Sequence, residues 1–337
     1  MAKAVKMKDI ADRLNVSTMT ISKALSGKPG VSDSLRERIR MLAMEMGYVS
    51  PGAPKDLYYT FGVIIESHYI EKCDTFYWKL YQEINMRASR QNCFILLGIV
   101  EDASRENLEI PKIVKENKVD GLLILGGMER YYLEVLVASA GVPIVYIDFY
   151  DEQIFEDSVI SNGFYGSYCM TNYLFDRGHR EIAFVGTLFS SKNITDRFLG
   201  YEKSMLEHGE AVREEWVIPD RDGEKNLYDI IVLPDQMPTA FVCNCDQTAC
   251  RLIGELQRNG YDVPGDISVV GYDDYLHPGL CNVEITSYGV DMGQMAALGI
   301  NLLIRKIQGK TYRKGFHIVE GYFVERESAA SRETEII

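Results

Sequence analysis

No stretch of the 337 residues approaches ~18 consecutive apolar side chains, so no segment reads as a membrane span. The first ten residues carry lysines but neither an apolar run nor a small-residue cleavage site, and no secretory signal is expected there. Cysteine is scarce and odd in number: seven, at 73, 93, 169, 243, 245, 250 and 281, without regular spacing. That reads as free thiols in a reducing, cytoplasmic setting rather than a disulfide framework. The run Cys243-x-Cys245-x4-Cys250 lacks a second pair at zinc-ligand spacing, and Cys243 lies in an apolar, strand-like run, so no metal site is expected. Catalytic signatures are missing too: there is no phosphate-binding G-x-x-x-x-G-K-[ST] loop, no G-x-G-x-x-G opening the first α/β unit, no H-E-x-x-H and no G-x-S-x-G. Asp273 and Asp274 are adjacent at a strand end and point different ways, which argues against an acid/base pair; neither an enzyme nor a cofactor is expected.

What the chain does hold is unevenly placed. Its formal charge is −13, yet residues 1–57 carry ten lysines and arginines against six acids, a net of +4, and the remaining 280 residues carry −17. A short basic head on an acidic body is the charge footprint of nucleic-acid binding confined to one small module. With 46% hydrophobic and 25% charged residues, the chain is long enough for two or three domains with their own cores.

The head, 1–47, reads as all-α. Lys8–Leu14 sets Ile10, Ala11 and Leu14 on one stripe, Asn15-Val16 turns, and Ser17 suits the N-cap of a second helix, Thr18–Ser26. Gly27-Lys28-Pro29-Gly30 interrupts; Ser32 opens a third helix reaching Met46, with Leu35, Ile39 and Leu42 on one side and Gly47 ending it. Ala11 is small enough for the first two helices to cross closely over Val16, Ile21 and Leu25. This is helix-turn-helix geometry, in which the second helix enters a major groove. Thr18 and Met19 lie in its first turn, and Lys23 follows Met19 by four residues on the same face. Met19 can touch a thymine methyl and Thr18 a base or phosphate. Ser17, Thr20 and Ser22 sit near a helix N-terminus, where backbone phosphates are attracted; simple capping for Ser17 and a solvated face for Thr20 and Ser22 are the competing readings.

Residues 48–60 read as a linker, with two prolines and a glycine between Pro51 and Pro54. From Phe61 onward, apolar runs at 61–65, 94–100, 121–126, 143–148, 182–186, 239–244 and 268–272 alternate with helical stretches at 76–90, 105–117, 165–177, 195–208, 247–259 and 292–308. About nine such strands predict an α/β body of two doubly wound parallel-sheet lobes, with ligands outside the carboxyl ends of strands.

The run Asp9-Ile10-Ala11-x-x-Leu14-x-Val16-Ser17-x-x-Thr20-Ile21-Ser22-x-x-Leu25, followed by Val31-Ser32 and Gly47-Tyr48, resembles the N-terminal signature of the LacI/GalR family of transcriptional regulators. The body adds GHREIAFVG (178–186), DRFLGYEKSM (196–205), PTAFVCNCDQTA (238–249), VPGDISVVGYDD (263–274) and ERES (325–328), so the likeness covers nearly the whole chain. The resemblance implies two lobes like those of periplasmic sugar-binding proteins (about 61–161 plus 291–319, and about 162–290 plus 320–337), with ligand between them. Thr18, Met19 and Lys23 would face the groove; Lys23 stands where arginine is more usual and loses the bidentate fork on guanine. Leu57 would be a minor-groove wedge, although Gly52 and Pro54 oppose a hinge helix. Asp148 after one strand, Arg197 opening the helix in DRFLGY and Asp273 after another would form an Asp-Arg-Asp trio for a polyhydroxylated ligand. Of the aromatics heading the first body helix, Phe76 is the one expected to stack on it; core or dimer packing is the alternative.

The family's usual Asn-Asp reads Cys245-Asp246, with Asp246 expected as an N-cap; its usual Asp-Asn reads Asn162-Gly163; and His179 reads as structural. The tail after Ser328 lacks leucine heptads, so a homodimer is expected, on a near-palindromic operator. A repressor of carbohydrate-utilisation genes with a sugar effector is the function so implied. A protein co-regulator or a nucleobase is the alternative, and a transport-type solute-binding protein a remote one.

Overall fold

The computed structural model describes residues 6–14, 16–25, 30–32, 35–36, 38–39, 42–43, 46, 58–70, 75–222, 228–276 and 279–332. Two units separate, Met1–Tyr58 and Tyr59–Ile337.

In the first, α1 (Met7–Leu14) and α2 (Thr18–Leu25) pack through Ile10, Ala11, Ile21 and Ala24, all buried. Ser17 caps α2: its Oγ accepts from the Thr20 N–H at 3.1 Å, satisfying a donor that the first turn leaves open. The described positions between 35 and 43 are helical, and Ile39 and Ala43 complete the small core. The Arg36 guanidinium donates to the Ala24 carbonyl at 3.1 Å and so closes the other end of α2. Leu57, and most of the 48–60 linker with it, lies outside the described residues.

The second unit holds two six-stranded sheets. The N-lobe sheet is built from β1 (Thr60–Glu66), β2 (Phe94–Val100), β3 (Gly121–Leu125), β4 (Ile144–Ile147), β5 (Asp157–Ser161) and β11 (Phe316–Val319), in the order β11-β5-β4-β3-β1-β2. The C-lobe sheet contains β6 (Ile182–Val185), β7 (Val217–Ile218), β8 (Ala240–Cys243), β9 (Ser268–Asp273), β10 (Thr286–Gly289) and β12 (Tyr322–Val324), in the order β12-β10-β9-β8-β6-β7. Pairing is parallel except for the edge strand β12, which runs antiparallel to β10. The inner strands are buried on both faces, as continuous apolar runs such as GLLIL and IVYI require. Helices α3 (Phe76–Arg90), α6 (Arg130–Ala140) and α10 (Met292–Ile307) serve the N-lobe, and α7 (Gly163–Asp176), α8 (Lys192–Glu207) and α9 (Asp246–Arg258) the C-lobe. The chain passes between lobes after β5, after β10 and between β11 and β12.

Twelve strands stand among the described residues where about nine were expected. The additional ones are short or mix polar with apolar residues, as in DSVIS (β5) and TSYG (β10), and lack the apolar run that marks a buried strand. The helix expected over 105–117 is two short ones, α4 (Asp102–Glu106) and α5 (Lys112–Lys115). Leu108 adopts φ +56° and Pro111 lacks the N–H that a continuous helix needs there. Among the described residues no helix is long and apolar enough to cross a membrane.

Candidate functional site

On the head, α2 turns Ile21 and Ala24 inward, and the 3.6-residue period then leaves Thr18, Met19, Ser22 and Lys23 on the exposed side. Met19 is 67% exposed, a large apolar side chain held in water by a capped helix. Ser17 is exposed and Thr20 half-buried, and their hydroxyls lie 2.9 Å apart. Both therefore serve the turn into α2, which is the structural role that competed with phosphate contact for Ser17.

The second candidate lies between the two lobes of the body. Asp148 follows β4 directly, in a left-handed conformation (φ +63°) that aims its side chain off the strand end. It is buried; its Oδ2 accepts from the Tyr77 hydroxyl at 2.9 Å, its carbonyl accepts from Asn193 Nδ2 at 2.8 Å, and its Oδ1 has no partner among the described residues. Burial pushes its carboxyl up to about 6, against the pull of Arg197 and the Tyr77 hydrogen bond. Asp273 is the last residue of β9 rather than the one after it, also left-handed at φ +92°, and its Oδ1 takes the Tyr275 N–H at 3.1 Å. Burial pushes it up to about 8, Arg197 opposing and Asp148 adding.

Arg197 does not open its helix. Ser191 caps α8 at Lys192, one and a half turns earlier, because its hydroxyl accepts from the Ile194 N–H at 3.2 Å. The guanidinium is only 8% exposed, lies 4.0 Å from the centroid of the Tyr272 ring and donates through Nη1 to the Asn244 carbonyl at 2.8 Å; its Nε has no partner among the described residues. No ion pair joins it to either aspartate among those residues, although both carboxyls act on it electrostatically. Asn244 is itself held by its Nδ2, which donates to Asp220 Oδ2 at 2.8 Å. Asp220 is fully buried, accepts from Arg221 at 3.0 and 2.8 Å and from Thr248 at 2.6 Å, and is thereby held below the usual carboxylate range. This internal pair fixes the floor on which Arg197 rests.

Phe76 heads α3 as expected but packs edge-on against Tyr77 (centroids 5.3 Å apart) and Tyr275 (6.5 Å), reaching across to the other lobe. Tyr77, not Phe76, touches the carboxylate. Tyr69 flanks Tyr77 at 4.3 Å and donates to the Gly127 carbonyl at 3.1 Å. Trp78 stacks on Tyr81, away from the trio. Asp246 is not an N-cap: Cys245 occupies that position, and Asp246 is the buried first residue of α9, accepting from Ser287 at 2.8 Å. Asn162 caps α7, and a Cβ on Gly163 would stand 3.3 Å from the Arg197 stem, so this altered pair borders the cleft. His179 is buried between the Thr239 hydroxyl (2.9 Å) and the Ala330 carbonyl (3.1 Å), a wholly internal role. Sequence reasoning did not single out Asn193, Asn244, Tyr272 or the Asp220–Arg221 pair. Their position relative to the trio depends on tertiary packing, and only the dipeptide at 220–221 carried a hint, as adjacent opposite charges.

A helix-turn-helix unit in one chain with a two-lobed body of parallel sheets, carrying buried polar atoms without partners among the described residues, defines a DNA-binding regulator with a solute-binding type of body. The model for bacterial regulatory proteins of the lacI family matches residues 6–50, and that for the periplasmic binding protein-like domain matches 171–329. The chain is 26% identical over 312 residues to an HTH-type transcriptional repressor PurR of Vibrio campbellii, covering 91% of this chain and 93% of the relative. It is 25% identical to a ribose operon repressor of Haemophilus influenzae, covering 96% and 98%. Among solved structures it is similar to a transcriptional regulator CelR–cellobiose complex (TM-score 0.68, 21% identity, 96% of this chain and all of that one). It is also similar to a lac repressor dimer bound to operator and the anti-inducer ONPF (TM-score 0.63, 21% identity, 97% and all). The chain thus carries a DNA-binding module of the lacI family and a periplasmic binding protein-like domain, and over nearly its whole length it is similar to transcriptional repressors.

Proposed function

We propose that this repressor is switched by a neutral, polyhydroxylated small molecule, a sugar, held between the lobes by Asp148, Arg197 and Asp273, and that it governs carbohydrate-utilisation genes. The carrying observation is a pair of buried polar atoms without partners among the described residues, Asp148 Oδ1 and Arg197 Nε, on side chains near enough to act on each other electrostatically. Buried polar atoms demand partners, and a ligand carrying both donors and acceptors supplies them. Charge favours neutrality: two carboxylates face one guanidinium, and the second nearby arginine, Arg221, is already neutralised by Asp220. With Asp273 kept protonated to about pH 8 and Arg221 paired with Asp220, the trio offers an anionic ligand no cation beyond Arg197, which Asp148 already balances. Phe76 offers an apolar edge beside the trio.

In this reading residues 1–47 are the DNA-binding head, 48–60 the hinge with Leu57 as its minor-groove wedge, and 61–337 the effector-binding body. Thr18, Met19 and Lys23 read bases, while Ser17, Thr20 and Ser22 hold the phosphate backbone. Two heads bind the half-sites of a near-palindromic operator through a dimer of bodies. The dimer reading draws support from the edge strand β2, whose Phe94 (60% exposed), Leu96 and Ile99, with Met86 of α3, leave an apolar surface in water. The ligand acts by preferring one lobe arrangement over the other.

A nucleobase is the second reading, favoured by the aromatic rings beside Asp148 and Arg197, Tyr77 and Tyr272, and by the PurR relatives. Thermal unfolding against a panel of neutral sugars, sugar phosphates and nucleobases separates the two. The expected result is a rise with one neutral sugar, worth about 2.7 kcal/mol at 100 times its Kd, and lost in Arg197→Ala and Asp273→Ala. A rise with a purine alone transfers the proposal to nucleobases. No rise with any compound, while operator binding persists, points to a protein co-regulator.

A further inference from the structure

A second group of buried polar atoms without partners among the described residues lies along the carboxyl edge of the N-lobe sheet. Glu66 is the last residue of β1 and only 3% exposed. Its Oε2 accepts from Arg105 Nη1 at 3.2 Å and lies 3.2 Å from His68 Nδ1, while Arg105 Nη2 reaches Asp102 Oδ1 at 3.1 Å. Glu66 Oε1, His68 Nε2 and Arg105 Nε stay buried and unpaired among those residues. The imidazole nitrogen that meets the carboxylate is the one that carries the proton, so Nε2 is an acceptor. The unmet set is therefore two acceptors, Oε1 and Nε2, and one donor, the Arg105 Nε–H. An ammonium group would supply donors alone. An ionised phosphate would supply acceptors alone, beside a carboxylate. Hydroxyl groups supply both.

Strand order places this cluster relative to the trio. Asp148 follows β4, Glu66 ends β1, and β3 runs between them. Two strand spacings set the two strand ends about 10 Å apart. An aromatic ring covers the end of β3: Gly126, at φ +78°, lacks a Cβ that would stand 2.7 Å from the Tyr69 ring. The rings of His68 and Tyr69 lie 4.0 Å apart, those of Tyr69 and Tyr77 lie 4.3 Å apart, and Tyr77 donates to Asp148. A continuous row of rings thus runs from the Glu66 cluster to Asp148, and the apolar C–H faces of sugars pack on such rings. Resting on the sugar reading above, we infer that the effector is a saccharide of two rings. Asp148, Arg197 and Asp273 bind one ring, Glu66, His68 and Arg105 bind the hydroxyls of the other, and Tyr69 stands between the two subsites.

Calorimetric titration of the full-length protein with neutral monosaccharides, and with disaccharides composed of them, tests this. A disaccharide is expected to bind at least ~10-fold more tightly than either of its component rings, because hydrogen bonds to buried charged groups are added. Glu66→Gln and Arg105→Lys should bring that ratio close to unity, with the monosaccharide Kd changed by less than about 2-fold because the two subsites lie apart. The ratio is taken within each variant, so a general loss of folded protein cancels. Monosaccharides binding as tightly as disaccharides, or both weakened alike in the two variants, overturns the second subsite and leaves the reading of the trio standing. Binding that persists in Arg197→Ala and Asp273→Ala, or no binding of either size, overturns the sugar reading and the two-ring proposal together.

Discussion

A carboxyl buried at the end of β9 and pushed up to about 8 makes stability depend on pH in a defined direction. Between about pH 4 and pH 8 the unfolded chain releases the Asp273 proton while the unliganded fold keeps it, so the fold loses stability as pH rises through that window. Asp148, pushed up to about 6, acts in the same sense over its lower half. Asp273→Asn should be more stable than the parent at pH 8, by on the order of 2–3 kcal/mol, and nearly unchanged at pH 4; urea unfolding at the two values checks this. A sugar hydroxyl donating to these carboxylates favours their ionised form. Sugar binding should therefore tighten from pH 6 to pH 8 and release protons, which calorimetry in buffers of different ionisation enthalpy measures. Asp148, Arg197 and Asp273 were singled out by their positions in the family likeness, and the structure buries all three. Tyr77 was visible only as one of three aromatics, and which of the three meets Asp148 depends on how α3 is set against β4. Asn193 and Asn244 left no mark in the sequence, since their roles exist only once α8 and β8 lie beside the trio.

Helix ends and helix crossings carry the next set of consequences. Gly200 lets α8 approach α7 so closely that a Cβ there would stand 2.0 Å from the Phe164 carbonyl oxygen. Backbone cannot yield as a side-chain tip does, so Gly200→Ala should cost at least ~2 kcal/mol in denaturant unfolding, whereas Gly209→Ala, with open space but φ +77°, should cost about 1 kcal/mol. On the head, Ser17→Ala removes the cap of α2 and should destabilise it by about 1 kcal/mol; Lys23→Ala should weaken operator binding and lower the salt dependence by about one released counterion. These elements read well from sequence where a cap or an apolar period marked them: 76–90 and 94–100 coincide with α3 and β2. The Ser191 cap was legible in principle, as a serine before a helical pattern, yet the reading began α8 three residues late. The other edge strands, β7, β11 and β12, were opaque because strands of two to four residues owe their form to a neighbour already in place.

At the scale of the whole molecule, the exposed apolar side of β2 gives a direct prediction for assembly. Phe94→Asp should convert a dimer to monomers in sedimentation velocity and weaken operator binding. An undisturbed dimer would place the subunit contact elsewhere. The three passages between lobes bear on something different, the order in which the protein is made. The N-lobe sheet is completed by β11 at residues 316–319 and the C-lobe sheet by β12 at 322–324, so both edges are filled by strands that follow every other described strand in the chain. The head, contained in the first 58 residues, is complete long before. A nascent chain thus has both helices of its head made while each lobe still lacks an edge strand, so the head can fold ahead of the body.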